Sequence, residues 1–258
     1  MDLRVTLIQR SLVWESPAEN RALCGDQLRS LRGQTDVIVL PEMFTTGFSM
    51  EPERLAEPTG GPTWDWLKTQ AREIDAAICA SVMAADGDRY VNRLVFALPD
   101  GAVHHYDKRH LFRMGGEHDH YSAGARHLVV AFRGWRIAPL VCYDLRFPVW
   151  SRRRQGYDYD LLLYVANWPS RRAFAWRQLL IARAIENQSF VAGVNRIGED
   201  GLGVHHDGDS AMHDPFGAEL LALGSVAGMA TVKLDRQVLD SFREKFPAHL
   251  DADRFDLH

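Results

Sequence analysis

The stretch VIVLPE, residues 37–42, is an uninterrupted apolar run of four residues that ends abruptly at a proline and a glutamate. A strand with one face in water alternates apolar and polar residues, whereas a strand covered on both faces is apolar throughout. Residues 37–40 are therefore predicted to form a strand that has protein on both sides. Residues 161–165, LLLYV, are a second run of this kind, so more than one strand needs such cover.

Strands outnumber helices in the rest of the chain. Hairpin signals at Asp86-Gly87 and Pro99-Asp100-Gly101 separate three consecutive predicted strands, and these hairpins break the strict alternation that a βα barrel requires. The predicted fold class is therefore an α/β layered sandwich. Because no linker or repeat interrupts the pattern, residues 1–258 are expected to form one domain, with a polar tail from about residue 247. The expected helices cover residues 17–31, 66–74, 147–155, 174–187 and 235–246.

Composition excludes several classes of function. A formal charge of -4 and a pI near 6.3 give no basic field of the kind that attracts nucleic acid. No apolar run is long enough to span a bilayer, and residues 1–9 do not resemble a signal peptide, so a cytoplasmic protein is expected. The three cysteines, Cys24, Cys79 and Cys142, are odd in number and lack CxxC spacing, which argues against a disulfide framework and a zinc site. No metal or cofactor is expected, and Cys24 and Cys79 are expected to pack in the core.

Three reactive side chains stand at or just after the ends of predicted strands: Glu42, Lys108 and Cys142. Ligand sites of α/β proteins form at such positions. The three chemistries complement one another, because a thiol needs a base to become a nucleophilic thiolate and a cation can stabilise an oxyanion. If Cys142 also begins a helical turn, its own thiolate and the oxyanion gain backbone donors that include the N–H of Tyr143. Lys108 and that turn are expected to depress the pKa of Cys142, unless Glu42 outweighs them.

The segments that carry these residues resemble the three catalytic motifs of the nitrilase superfamily, the carbon-nitrogen hydrolases with a Glu-Lys-Cys triad. The motifs are LPEMF (40–44), YDKRHLF (106–112) and LVCYDLRFP (140–148), and they are supported by the segment 176–198 and by DPFG at 214–217. The resemblance is greatest to bacterial ω-amidases. It implies an α-β-β-α sandwich and a homodimer or larger assembly that pairs through helices.

The resemblance also implies the roles of the site residues. Glu42 would be the general base, Lys108 the residue that stabilises the oxyanion, and Cys142 the nucleophile. Glu117, in the long irregular loop 108–124, matches a fourth, acidic residue of the family. The implied activity is hydrolysis of the terminal amide of a small carboxylate-bearing substrate, such as 2-oxoglutaramate or 2-oxosuccinamate, through a cysteine thioester.

Other residues are candidates for binding the substrate. Tyr143 is one candidate. Phe44 and Trp168 lie beside residues of the catalytic loops and are expected either to line the pocket or to pack. Arg171 and Arg172 could pair with a substrate carboxylate or form a solvated helix face. Asp144 and Arg146 are expected to hold the loop around the cysteine by binding each other or nearby backbone. The run 152–154, RRR, is expected to be a solvated helix face.

Several other functions remain open at this point. Within the same superfamily the chain could be an amidase for deaminated glutathione, an N-carbamoyl hydrolase or a nitrilase. From other classes, it could be a thiol-based sensor of oxidants or electrophiles, which would not turn over amides, or a catalytically silent scaffold.

Overall fold

The computed structural model describes residues 1–255 and residue 257, and within them the chain forms fifteen strands and seven α-helices. The strands are β1 (Leu3–Gln9), β2 (Val37–Val39), β3 (Glu57–Pro58), β4 (Ala77–Asp86), β5 (Arg89–Ala97), β6 (Val103–Asp107), β7 (Val130–Phe132), β8 (Trp135–Val141), β9 (Leu161–Ala166), β10 (Phe190–Asn195), β11 (Ile197–Glu199), β12 (His205–Asp207), β13 (Ala211–His213), β14 (Glu219–Ala222) and β15 (Gly228–Leu234). The helices are α1 (Pro17–Arg29), α2 (Pro52–Leu55), α3 (Pro62–Ile74), α4 (Glu117–His120), α5 (Pro148–Ser151), α6 (Ala173–Asn187) and α7 (Arg236–Lys245). Short 3-10 helices cover Arg113–Gly115, Cys142–Arg146, Ser170–Arg172 and Ala248–Leu250.

Most of the strands belong to two large sheets. The first sheet has the order β15-β1-β2-β4-β5-β6, with β3 attached to β4, and the second has the order β14-β13-β10-β9-β8-β7. Strands β1, β2 and β4 run parallel in the first sheet, as do β8, β9 and β10 in the second. The short β3 also pairs with β4 in parallel, and the remaining strands of the two sheets pair antiparallel with their neighbours. The hairpins β4–β5 and β5–β6 match the two turn signals of the sequence.

Strand β2 shows how the layers are stacked. Val37 and Val39 belong to the large core between the sheets, whereas Ile38 and Leu40 belong to a second core against α1 and α3. Successive side chains of a strand point to opposite faces. The predicted strand with cover on both faces is therefore confirmed, and the first sheet lies between helices on one side and the second sheet on the other.

Helix α6 covers the second sheet and completes the α-β-β-α order of layers. Trp176 and Leu180 approach β10 so closely that a Cβ on Gly193 would lie 2.6 Å from Leu180 and 2.7 Å from Trp176. Only glycine leaves room for this contact. The predicted α/β sandwich is thus confirmed, with a helical layer on each side of the two sheets.

The helix predicted over residues 147–155 is wrong beyond its first turn. Only α5 is helical, and the backbone is already extended at Arg152, where ψ is 121°. Gly156, with φ of 82°, then closes a tight turn in which Arg154 and Tyr157 bond each other's backbone. The helix that apolar spacing alone would have continued thus ends at Ser151, and the left-handed glycine allows the tight turn that follows.

The arginine run 152–154 is consequently not a solvated helix face. The side chain of Arg153 is mostly buried and donates through Nε to Asp158 Oδ1 at 2.9 Å. Its Nη1 donates to the backbone oxygen of Asn187 at 3.2 Å. Arg153 thus links the turn to the end of α6.

No helix in the described part of the chain is long and apolar enough to cross a membrane.

Candidate active site

Four polar side chains lie at the carboxyl ends of strands from both sheets. Glu42 comes shortly after β2 and Lys108 directly after β6, whereas Cys142 directly follows β8 and Asn167 directly follows β9. Glu42, Lys108 and Asn167 are buried, and Cys142 retains 8% exposure. The structure thus brings Glu42, Lys108 and Cys142 together between the sheets, as the strand-end pattern predicted.

Lys108 is the centre of a buried ionic cluster. Its Nζ lies 2.9 Å from Glu42 Oε1, and 2.9 and 2.8 Å from the two carboxylate oxygens of Glu117. All three side chains have zero exposure. A charge buried this deeply persists only when it is paired and hydrogen-bonded. The cluster holds two carboxyl groups for one ammonium group, so its balance of charge is negative when all three are ionised.

The ion pairs of the cluster also shift the pKa values of Lys108 and Glu117. Burial opposes the charge on Lys108, but Glu117 and Glu42 outweigh it and raise the pKa of the ammonium group. Burial raises the pKa of the Glu117 carboxyl group, Lys108 opposes this rise, and the negative charge of Glu42 adds to it. Lys108 is therefore cationic at any physiological pH, and it is shared by two competing carboxylates.

Glu117 reaches Lys108 from the segment that was predicted to be an irregular loop. That segment contains the 3-10 helix Arg113–Gly115 and then the short helix α4, which starts at Glu117. Gly116, with φ of 74°, allows the change between the two, and the backbone N–H of Phe112 donates to Glu117 Oε2 at 2.5 Å. The fourth acidic residue implied by the resemblance thus lies inside the cluster.

Two asparagines that sequence reasoning missed complete the cluster. Asn92, inside β5, donates through Nδ2 to Glu42 Oε1 at 2.8 Å and to Glu117 Oε1 at 3.2 Å. Asn167 donates its backbone N–H to Glu42 Oε2 at 2.8 Å and its Nδ2 to the Glu42 backbone oxygen at 2.7 Å. Asn167 could have been found, because it follows an apolar strand as Cys142 does. The signal for Asn92 was only a polar residue among the apolar residues of a strand.

Cys142 lies at the start of the 3-10 helix Cys142–Arg146, which confirms the expected helical turn. Its φ of 43° is in the left-handed region, as is the φ of 44° at Met43, the residue after Glu42. Non-glycine residues in this region are strained by about 1 to 3 kcal/mol each, and such strain concentrates at functional sites. The turn after Glu42 and the turn at Cys142 therefore both have strained backbone conformations.

The expected depression of the Cys142 pKa is wrong. Burial, the strongest effect, raises the pKa of the thiol, and the negative charges of Glu42 and Glu117 add to this rise, with only Lys108 opposing. The sequence indicated the lysine and the helical turn. It did not show that Cys142 would be buried, or that two carboxylates would lie close to its thiol. Cys142 is therefore a neutral thiol at rest, and it needs a base before it can attack.

Labelling with iodoacetamide tests this protonation state. We expect label on Cys142 rather than on Cys24 or Cys79, because Cys142 borders a cavity and the other two have no exposure. Since burial raises the pKa of all three thiols, labelling at pH 7 should be slow and should accelerate above pH 9. Peptide mapping at both pH values measures this, and rapid labelling at pH 7 would mean that a thiolate is already present.

Asp144 holds the loop of Cys142, as expected. Its carboxylate accepts hydrogen bonds from the backbone N–H of Val141 at 3.0 Å and from the Tyr106 hydroxyl at 2.7 Å. It also lies 3.0 Å from the backbone nitrogen and 2.7 Å from the ring Nδ1 of His110. One buried carboxylate thus ties the segment around Lys108 to the turn of Cys142.

A cavity of about 190 Å³ opens beside Cys142. The aromatic and apolar side chains on its walls include Phe48, Phe112, Met114, Tyr143, Trp168 and Leu202. Tyr143 and Trp168 were expected there, whereas of the two alternatives for Phe44, pocket lining is wrong and packing is correct. Phe44 is fully buried against Trp66, with the ring centroids 5.8 Å apart, because the left-handed turn at Met43 returns the chain to the core facing the helices.

The hairpin β11–β12 supplies one wall of the cavity that sequence reasoning did not identify. Val204 and His206 line this wall together with Leu202. Burial, reinforced by the charge of Arg196, lowers the pKa of His206 to about 4, so the ring is neutral at pH 7. The acidic residue of this wall is Asp200, whose Oδ1 accepts hydrogen bonds from the backbone N–H groups of Leu202 and Val204, both at 2.9 Å.

Three arginines, Arg146, Arg171 and Arg172, also line the cavity. The guanidinium of Arg146 lies 4.9 Å from the Trp168 ring centre and that of Arg172 lies 5.3 Å from the Phe112 ring centre. Arg146 does not hold the loop with Asp144, which corrects that expectation. Burial and the two neighbouring arginines lower the pKa of Arg172, and among the described residues none of the three makes a salt bridge.

The fold and the site together characterise the class of protein. It is an α-β-β-α sandwich with a buried glutamate, lysine and cysteine at the ends of strands from both sheets. The carbon-nitrogen hydrolase family model matches residues 4–244, so the chain belongs to the carbon-nitrogen hydrolase family. The resemblance to the nitrilase superfamily is confirmed. The protein is accordingly a hydrolase that acts on carbon-nitrogen bonds.

Individual relatives are similar over the full length of the chain. Omega-amidase YafV of Escherichia coli K12 is 49% identical over 259 residues, which cover 99% of this chain and 98% of that protein. The 2-oxoglutaramate amidase of Bacillus subtilis is 33% identical, with 100% of both chains covered. The crystal structure of XC1258 from Xanthomonas campestris, which has an arsenic adduct in its active site, superposes with a TM-score of 0.98 at 48% identity and full coverage of both chains.

Proposed function

We propose that the protein is an ω-amidase, which hydrolyses the terminal amide of a small 2-oxo acid such as 2-oxoglutaramate or 2-oxosuccinamate to the acid and ammonia. The observation that carries the proposal is Cys142 on the wall of a small, arginine-lined cavity, directly beside the cluster of Glu42, Lys108 and Glu117. The similarity to an omega-amidase and to a 2-oxoglutaramate amidase supports the same substrate class.

The first half of the reaction forms an acyl-enzyme. Glu42 accepts the proton of the Cys142 thiol, whose raised pKa makes such a base necessary. The sulfur attacks the amide carbon, and a tetrahedral intermediate with a negative oxygen forms. The carbon-nitrogen bond then breaks, and Glu42 returns its proton to the leaving nitrogen, so ammonia departs and a thioester remains.

The second half hydrolyses the thioester. A water molecule attacks the carbonyl carbon while Glu42 accepts a proton from it. The carbon-sulfur bond breaks, and the proton on Glu42 passes to the sulfur, which restores the thiol and releases the carboxylic acid. One carboxylate thus serves as base and as acid in each half, which requires that its proton be free to move.

Lys108 stabilises the oxyanion in both halves. Its charge is fixed by Glu42 and Glu117, and no solvent reaches it. A preorganised cation in a dry site stabilises developing charge far better than it would in water. The backbone N–H of Tyr143, in the first turn of the 3-10 helix, is the second donor, and Glu117 keeps the ammonium group in place.

The three arginines bind the carboxylate at the other end of the substrate. Arg146, Arg171 and Arg172 border the cavity and form no salt bridge within the described residues. Guanidinium groups match carboxylates geometrically and remain charged at any physiological pH. A cavity of about 190 Å³ lies below the range of pockets for drug-sized ligands, which favours a short acyl chain.

A screen for ammonia release tests the substrate class. We expect kcat/KM for 2-oxoglutaramate to exceed that for an uncharged amide of equal length by roughly 100-fold, the size typical of a lost buried charge pair. The screen includes deaminated glutathione, N-carbamoyl amino acids and simple nitriles, each of which stands for another activity of the superfamily. Equal rates for charged and uncharged amides would contradict carboxylate recognition.

An arginine variant sharpens the test. Arg172→Leu should raise KM for 2-oxoglutaramate about tenfold or more and should leave kcat/KM for the uncharged amide nearly unchanged. Arg126→Leu is the matched control, since Arg126 is an exposed arginine outside the cavity. A loss of the same size with both amides would assign Arg172 to the shape of the cavity instead.

The sensor hypothesis gains no support from the site. Redox-sensing cysteines are accessible, have a low pKa and are often adjacent to a resolving cysteine. The pKa of the Cys142 thiol is raised, and Cys24 and Cys79 are free and buried in the two cores. Wild-type protein that releases no ammonia from any compound of the screen would revive this hypothesis.

A further inference from the structure

Asn92 is hydrogen-bonded to all three residues of the ionic cluster. Its Nδ2 donates to Glu42 Oε1 at 2.8 Å and to Glu117 Oε1 at 3.2 Å. Its backbone oxygen accepts from the backbone N–H of Lys108 at 3.0 Å. Asn92 is fully buried in β5, and its side-chain amide donates to the two carboxylates of the cluster.

The orientation of the Asn92 amide is forced. If the amide were flipped, Oδ1 would face two carboxylate oxygens at hydrogen-bond distance, and all of these atoms are acceptors. In the orientation present, Oδ1 is buried and has no hydrogen-bond partner among the described residues. An unsatisfied buried oxygen destabilises the fold, and a leucine of similar size would avoid this. The retained amide therefore points to a role in the site, beyond packing.

We infer that Asn92 is a positioning residue that holds Glu42 and Glu117 on Lys108 as two separate anions, so that Glu42 stays free to accept the proton of Cys142. This inference rests on the proposed function. Asn92 acts through Glu42 and touches neither the substrate nor the thiol.

The chemistry explains why a neutral donor suits this position. Two neighbouring carboxyl groups tend to share one proton, since the second ionisation meets the charge of the first. A second cation would separate them but would also weaken Glu42 as a base. An amide N–H to each group stabilises both anions and adds no charge. Besides the carboxyl and ammonium groups of the cluster itself, the titratable groups that face it from the surrounding elements are the Cys142 thiol and the Tyr121 hydroxyl.

The test is the pH profile of ammonia release by Asn92→Leu. Without the donor, the carboxyl pair takes up a proton at higher pH, so the acid limb of kcat/KM should move upward by about one pH unit. At pH values on that limb the variant should lose about tenfold in kcat/KM, with KM nearly unchanged. Asn187→Leu is the control, because Asn187 is a buried asparagine that bonds the backbone of Arg153 and Arg183 far from the cluster in sequence.

Alkylation of Cys142 gives a second readout that does not depend on turnover. The carboxylates oppose the thiolate, so a proton held by the pair in Asn92→Leu should make Cys142 react faster with iodoacetamide at pH 7, while catalysis becomes slower. A purely structural role would not move the two rates in opposite directions. Asn92→Ala, which adds no bulk, repeats both measurements should the leucine variant not fold.

The outcomes separate the inference from the function on which it rests. An unmoved acid limb together with unchanged alkylation, in a wild type that hydrolyses 2-oxoglutaramate, overturns the role of Asn92 and leaves the proposed function standing. A wild type that hydrolyses no amide overturns the proposed function. In that case the alkylation rates of the Asn92 and Asn187 variants still decide whether Asn92 controls the protonation of the cluster.

Discussion

Cys142→Ala is expected to reduce amide hydrolysis by at least about 10⁴-fold while the protein stays folded. The variant removes the nucleophile, and loss of a nucleophile from a catalytic unit costs nearly the whole covalent pathway. The fold should tolerate the change because only a sulfur atom is lost beside a cavity. Alanine also carries a Cβ, so the strain at the φ of 43° is no greater than in the wild type. Single-turnover ammonia release and a thermal melt measure the two effects.

Cys79→Ala is the control for this variant. Cys79 is fully buried in β4, within the core between the sheets, and its loss should cost about 1 kcal/mol in the free energy of unfolding while kcat is retained. Turnover by Cys142→Ala within tenfold of the wild type would refute the acyl-enzyme mechanism.

Lys108→Met should be nearly as damaging, for two separate reasons. It removes the oxyanion donor, and the loss of one such donor typically lowers kcat by about 10² to 10³. It also leaves Glu42 and Glu117 buried without a cation, and breaking a buried ion pair on one side costs about 3 to 5 kcal/mol in the free energy of unfolding. Lys68→Met is the matched control, because Lys68 is a half-buried lysine whose only described salt bridge is to the exposed Asp65.

The stability loss of Lys108→Met should depend on pH in a definite direction. The pKa of Glu117 is already raised by burial in the wild type, and without Lys108 it rises further. A carboxyl group with a folded-state pKa above its unfolded value of about 4.3 contributes stability below that value and loses it as the pH rises through the folded-state pKa. The loss in the free energy of unfolding should therefore be largest at pH 7 and shrink toward pH 4.3, as measured by urea titrations.

The kinetics of the same variant test the catalytic role of Lys108. If kcat is preserved and only KM rises, Lys108 binds the substrate carboxylate instead.

The sequence predicted those parts of the fold and site that depend on local pattern. The apolar run at 37–40 required cover on both faces, and the rule that sites form at strand ends selected Glu42, Lys108 and Cys142. Both arguments need only the period of a strand and the position of its end. Glu117 came from family resemblance alone, because no local pattern shows that the chain turns back through α4 to reach Lys108.

What failed depended on distances between remote segments. The sign of the pKa shift at Cys142 required the positions of two carboxylates, and the place of Phe44 required the left-handed turn at Met43. Asn92 is hidden for a similar reason. A single polar residue inside a strand acquires meaning only when the neighbouring strand and α4 bring Glu42 and Glu117 to it.

The pairing of the first strand with the last has a consequence for synthesis of the protein. Strand β1 bonds β15 along seven residues, from Leu3 with Leu234 to Gln9 with Gly228. At about 5 to 20 residues per second, a ribosome needs roughly 10 to 45 s to reach Gly228 after it has made Gln9. During that interval β1 is an open edge, with unpaired backbone groups that a neighbouring nascent chain can join. Lys233, the one charged residue of β15, cannot protect an edge that is open only before β15 is made, so pairing between nascent chains is a hazard specific to this interval.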